Sequence, residues 1–192
     1  MTALVLGLLI FLGVHSVRIV ADPWRTRMLA RLGEGAWKGS YALLSALGFA
    51  LIVWGYAQAR QQPLALWPPQ GWARHLAGLL TLIAFVLVTA AYVPGNGVKA
   101  RLHHPMVLGV KVWALAHLMA NHTLADLLLF GGFLLWAVLC FRSARRRDAA
   151  AGTVYPPGQA SRTVVTVVAG TVAWAVFAVV VHAAWLGVRP FG

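Results

Sequence analysis

HHPMVLGVKVWALAHLMANH, from His103 to His122, carries four of the chain's seven histidines, a proline near its start and a lysine inside it. Most of the rest is the Leu, Val, Ala and Met of a membrane-spanning helix, and this decides the fold class. An ionisable side chain at the centre of a bilayer costs about 2.5–3.5 kcal/mol even on lenient scales. A span that keeps His117 in its apolar middle therefore has to supply a partner for that ring.

Working outward, composition agrees. The chain is 60% hydrophobic and 10% charged, with a mean hydropathy of +0.76, whereas soluble domains carry about 25% charged residues. The reading is an all-α, polytopic transmembrane helical bundle. A span takes about 20 mostly apolar residues, and six candidate stretches fit, at about 2–21, 39–59, 73–94, 105–122, 124–141 and 163–187. At 192 residues that leaves one membrane domain and no second one. The fourth and fifth spans are separated only by Asn121-His122-Thr123, which predicts antiparallel neighbours. The one cysteine, Cys140, excludes an internal disulfide and a multi-cysteine metal site. The first apolar run starts at Thr2 with no basic residue ahead of it, so no secretory leader is expected.

The net charge of +12 raises the question of nucleic acid. The basic residues lie between apolar runs, however, which is the juxtamembrane pattern and excludes a nucleic-acid partner. Twelve of the 16 Lys and Arg fall in three linkers on one side: Arg18 to Lys38, Lys99 with Arg101, and Arg142 to Arg162. Arg60, Arg74 and Arg189 fall on the other, and Lys111 sits inside a span. The bias predicts cytoplasmic basic linkers and both termini outside, periplasmic in a bacterial inner (plasma) membrane. In the first linker Trp24, Met28 and Leu32 make a stripe suited to a short helix in the headgroup plane, or an ordinary basic linker anchored by tryptophan. The linker 142–162 reads as a mobile loop with a charge block. Ser45, Gly48 and Gly55 form a small-residue seam for close helix packing.

Two histidines stand apart by depth. His15 lies on the first span beside Leu8, Phe11 and Leu12, one turn before Arg18. His117 lies six residues past Lys111, about 9 Å deeper at 1.5 Å per residue, while Lys111 can snorkel to the surface. Two facing neutral imidazoles can ligate a metal or a haem iron. Each could equally hydrogen-bond a neighbouring helix through Trp or Ser, and both readings stand at this point. Arg18 is placed to meet haem propionates, and Asn121, one turn after His117, to support that ring. His75, His122 and His182 fall near the outer surface, and His182 shares a small-residue face with Thr171, Ala175 and Ala178. Pro105 suits the first turn of a helix preceded by His104. Thr123 and Asp126 have capping-box spacing. No nucleophile–base pair or phosphate loop is present, which excludes hydrolase and kinase machinery.

HPMVLGVKVWALAHLMAN (104–121), LGEGAWKGSYALLSALGFALIVWGYAQAR (32–60) and FLGVHSVR (11–18) together resemble the NnrU family of bacterial inner-membrane proteins, over about the first 140 residues. The resemblance implies a membrane protein linked to denitrification, through nitrite and nitric oxide reductase expression or activity. It could act there as a sensor, assembly factor or redox-dependent enzyme. The family is similar in turn to 15-cis-zeta-carotene isomerase, a membrane enzyme with a b-type haem on two histidines. Its motifs match His15-Ser16, His104-Pro105 and Ala116-His117. That likeness implies haem b on His15 and His117, with nitric oxide or an apolar polyene as ligand and a haem-dependent cis–trans isomerase as the alternative activity. The family pattern has glycine where this chain has His122, so His122 is given no role. A different class, the S-adenosylmethionine-dependent isoprenylcysteine-type membrane methyltransferases, is similar in HHPMVLG. Its arginine and tyrosine are replaced by His103 and Val107, and its later glutamates have no counterpart after Glu34.

Overall fold

The computed structural model describes residues 1–191, and all regular elements among them are helical. Five helices are long and apolar enough to cross a membrane: α1 (Thr2–Val20), α2 (Asp22–Ala59), α3 (Gly71–Tyr92), α6 (Leu124–Ala150) and the Ala160–Leu186 rod. That rod is α7 (Ala160–Val176), a π-helical turn (Phe177–Val181) and α8 (His182–Leu186). Between them lie α4 (Gly97–Leu102) and α5 (Pro105–Ala120). Large apolar side chains point outward along the long helices; Leu43 is 72% exposed and Val179 70%. Lipid makes such faces cheap where water would not.

The fourth expected span is the short one. α5 has 16 residues, about 24 Å of helix against a hydrocarbon core of about 30 Å. Pro105 starts it at the first helical position behind His104, and Asn121 ends it in extended backbone. Of the linkers, the first takes the helical one of its two expected forms, and the one at 142–162 departs from expectation. The first is helical from Asp22 and joins the second span through a break at Gly33, whose φ of 79° glycine adopts at no steric cost. The basic block at 142–147 is no loop, because α6 stays helical to Ala150 and carries its arginines along.

The chain divides into two compact units. The first is Met1–Pro68 with His122–Cys140. Here α1 and α2 meet backbone to backbone: a methyl on Gly55 would lie 2.2 Å from the Leu4 nitrogen, and one on Gly7 2.6 Å from that of Ile52. Gly48 and Gly55 of the expected seam are thus real contact points, with Gly7 completing them from α1. The α6 segment of this unit packs on α1, with Leu12 Cδ1 3.4 Å from where a methyl on Gly132 would be. The Leu64–Leu66 segment pairs through an isolated bridge with the residues that lead into α6, Leu66 N–H donating to His122 O (2.8 Å) and Leu124 N–H to Leu64 O (2.9 Å).

The second unit is Pro69–Asn121 with the chain from Phe141 onward. Its centre is α3, on which α5 and α7 pack through glycines. A methyl on Gly109 would meet Val88 Cγ2 at 2.8 Å, and one on Gly170 would meet Val86 Cα at 2.7 Å. Asn96, 1% exposed, closes the turn after α3. Its amide donates to Ala90 O (2.8 Å) and its carbonyl accepts from Lys99 N–H (2.8 Å).

Candidate functional site

His15 is half-buried in the first unit. Its Nδ1 lies 2.7 Å from the Phe11 carbonyl one turn back. A carbonyl only accepts, so Nδ1 carries the proton and the neutral ring's lone pair is at Nε2. The imidazole stacks on Phe11 (4.2 Å between centroids) and has Tyr41 at 5.2 Å and Trp136 edge-on at 6.1 Å. The Trp136 Nε1 and Ser45 Oγ atoms are buried without a hydrogen-bond partner in this unit.

His117 belongs to the second unit and repeats the arrangement. Its Nδ1 lies 2.9 Å from the Trp113 carbonyl, again one turn back, so its lone pair is also at Nε2. The Trp113 ring lies 5.1 Å away. Asn121 donates from Nδ2 to the His117 carbonyl at 2.8 Å and stands at the C-terminal cap of α5. Arg18 lies 4.0 Å from Asp22 across the α1–α2 junction, with its side chain 59% exposed. His182 donates from Nδ1 to Val188 O at 2.7 Å.

Among the described residues no three His, Cys, Asp or Glu side chains gather into a group that could hold a metal ion. The chain offers single imidazoles with a fixed Nε2 lone pair. Haem iron takes one or two such ligands, its other four nitrogens coming from the porphyrin. Orientation through the opposite ring nitrogen is the usual support for a ligating histidine.

The second unit also holds a polar cluster that sequence reading missed. His103 has φ 68° and ψ −53°, and His104 N–H donates to Leu102 O at 2.9 Å across it. This is a γ-turn of the rare positive-φ kind, strained for a side chain with a Cβ by about 1–3 kcal/mol. It persists because the His103 ring stacks on Tyr155 at 4.0 Å and 11°, and Nδ1 meets the Arg145 guanidinium. Beside it, His104 Nε2 and the Tyr155 hydroxyl both reach Oδ2 of Asp148, at 2.7 and 3.0 Å. The chain reaches this point through the end of α6. Gly152 takes a left-handed conformation (φ 58°), its N–H donates to Ala149 O and Thr153 N–H donates to Asp148 O. That Schellman turn sends residues 153–155 back along the helix.

Asp148 is the one acidic side chain in the second unit. Burial pushes its carboxyl up, but the hydrogen bonds from His104 and Tyr155 and the charges of His104 and Arg145 outweigh this and hold it below the usual carboxylate value. Burial, and then the bond to Asp148, push the Tyr155 phenol up. The signals available were His103 and His104 before Pro105 and the lone Asp148 in a basic run; their meeting is tertiary.

Against known proteins, the chain matches the family described as NnrU protein over residues 3–190. It belongs to the NnrU family. The match runs past the first 140 residues that carried the resemblance, so the tail beyond the basic block belongs to the NnrU match as well. No curated protein and no solved structure matches significantly.

Proposed function

We propose that this NnrU-family membrane protein binds a b-type haem, with His15 and His117 as its axial-ligand candidates, and serves nitrogen-oxide metabolism in a bacterial inner membrane. The observation that carries the reading is the shared state of the two rings. Each histidine donates from Nδ1 to the carbonyl one turn back on its own helix, which commits Nε2 to the lone pair. The aromatic surround of His15 suits the porphyrin's apolar faces. When bound, haem would supply an iron that takes nitric oxide or changes redox state. The chain's own Phe11 and Trp113 carbonyls orient the imidazoles. The link to nitrite and nitric oxide reductases comes from the family resemblance, and a sensor, an assembly factor and a redox-dependent enzyme all fit it.

The test is spectroscopic. The protein is purified in mild detergent from haem-replete cells, and oxidised and reduced absorption spectra are recorded. A b-type spectrum that is lost or altered in His15→Ala and in His117→Ala but kept in His122→Ala is the expected result. A protein that stays colourless after haem supplementation overturns the reading.

A further inference from the structure

The cluster around His103 does no work in the haem reading, yet its backbone is held in an unfavourable conformation. His103 is the only non-glycine with positive φ among the described residues. Strain of this kind survives where the surroundings over-determine it, and it concentrates at binding and catalytic positions. The cleft beside it has a volume of about 180 Å³ and is lined by His103, Arg145, Asp148, Ala149, Gly152 and Thr153. That is below the roughly 300–1,000 Å³ of sites that enclose a whole small molecule. It accommodates one small group, either free or at the end of a larger molecule.

Charge says which group. The cleft presents a guanidinium and an imidazole, with Arg145 Nη1 donating to His103 Nδ1. Its one carboxylate is already answered, since His104 and Tyr155 both reach Oδ2 of Asp148. Arg142, Arg146 and Arg147 share the same end of α6. A planar guanidinium fork matches an oxyanion in two places at once. Each element has a fixed job: the γ-turn aims His103, the Tyr155 stack holds it, and the Schellman turn at Gly152 shapes the far wall.

We propose that this cleft is a binding site for a single tetrahedral oxyanion group of the phosphate type, taken by Arg145 with His103 as second donor. The group can reach it as a free phosphate or as the headgroup of an anionic lipid, since the apolar part of α6 ends just before Arg142. The site is independent of haem.

The test titrates delipidated full-length protein in maltoside micelles, by calorimetry, with inorganic phosphate in one arm and short-chain phosphatidylglycerol in the other. Saturable binding of phosphate alone assigns a free oxyanion, binding of the lipid alone assigns a headgroup, and either supports the site. Arg145→Gln and His103→Gly are each expected to weaken that binding about tenfold or more. His103→Gly keeps the γ-turn that glycine adopts freely, so its thermal midpoint should hold or rise while binding falls. A merely structural histidine would show the opposite. Binding of neither probe overturns the proposal. So does an equal loss in Arg146→Gln, which would mean diffuse attraction to a basic surface.

Discussion

The Tyr56 hydroxyl donates to Asp126 Oδ1 at 2.5 Å, joining α2 to the first turn of α6 across 70 residues of chain. The other carboxylate oxygen accepts from Thr123 N–H at 2.9 Å and from the Thr123 hydroxyl at 2.6 Å, so Asp126 is both helix cap and tie. At 6% exposure it has little water to fall back on. Tyr56→Phe should cost about 1.5–3 kcal/mol, the range for a hydrogen bond to a charged group. Asp126→Ala should cost more, because the cap goes as well. Unfolding in detergent checks both, and a neutral Tyr56→Phe would refute the tie.

The α1–α2 seam makes a sharper contrast. Gly55→Ala and Gly7→Ala would drive a methyl into backbone that cannot move aside, costing about 1–3 kcal/mol or more. Gly39→Ala meets nothing within 4 Å and should gain about 0.5–1 kcal/mol from helix propensity. Thermal midpoints of the three variants should therefore move in opposite directions. A shared direction would mean that the two helices do not meet through these glycines.

The Asp148–Tyr155 contact predicts a loop released at both ends of the pH scale. A lowered carboxyl stabilises fully above about pH 4, its ordinary range, and is lost as pH falls through the lowered value. A raised phenol stabilises fully below about pH 10 and is lost as pH rises through the raised value. A nitroxide on Val154→Cys, in a Cys140→Ser background, should be least mobile between those limits. Tyr155→Phe should abolish the alkaline change. Constant mobility from acid to alkali would show that the contact does not hold the loop.

Topology turns on α5. If its 16 residues cross the bilayer with local thinning, six crossings leave both ends of the chain on one side, which is the expected outcome. Reporter fusions at the two ends, active on only one side of the membrane, read this directly. Opposite sides would make α5 a helix that stops short.

Much of the fold was legible because lipid imposes a simple rule: hydropathy over about 20 residues marks the long helices. Local chemistry was legible too. The Thr123–Asp126 cap and Pro105 at a helix start depend only on neighbours in sequence. What escaped was whatever distant residues decide. Nothing near His104 announces Asp148, 44 positions on, and Gly7 looks like any glycine until Ile52 lies against it. The strain at His103 was equally invisible, since it is set by Tyr155 and Arg145 from beyond the next helix. The tautomers of His15 and His117 are a middle case: the i−4 carbonyl was always in reach, but only coordinates show that both rings took it.

The π-turn at Phe177–Val181 changes how the tail should be aligned. Such a turn is an α-helix that has absorbed one extra residue, and it advances everything after it by about 100°. The face that groups His182 with Thr171, Ala175 and Ala178 on an unbroken 3.6-residue count is therefore out of phase past the bulge. Relatives without it would be expected to show a single-residue gap between 177 and 181. Deleting Val180 here would restore the straight spiral and carry His182 to a different side of the rod, a natural insertion undone by one codon.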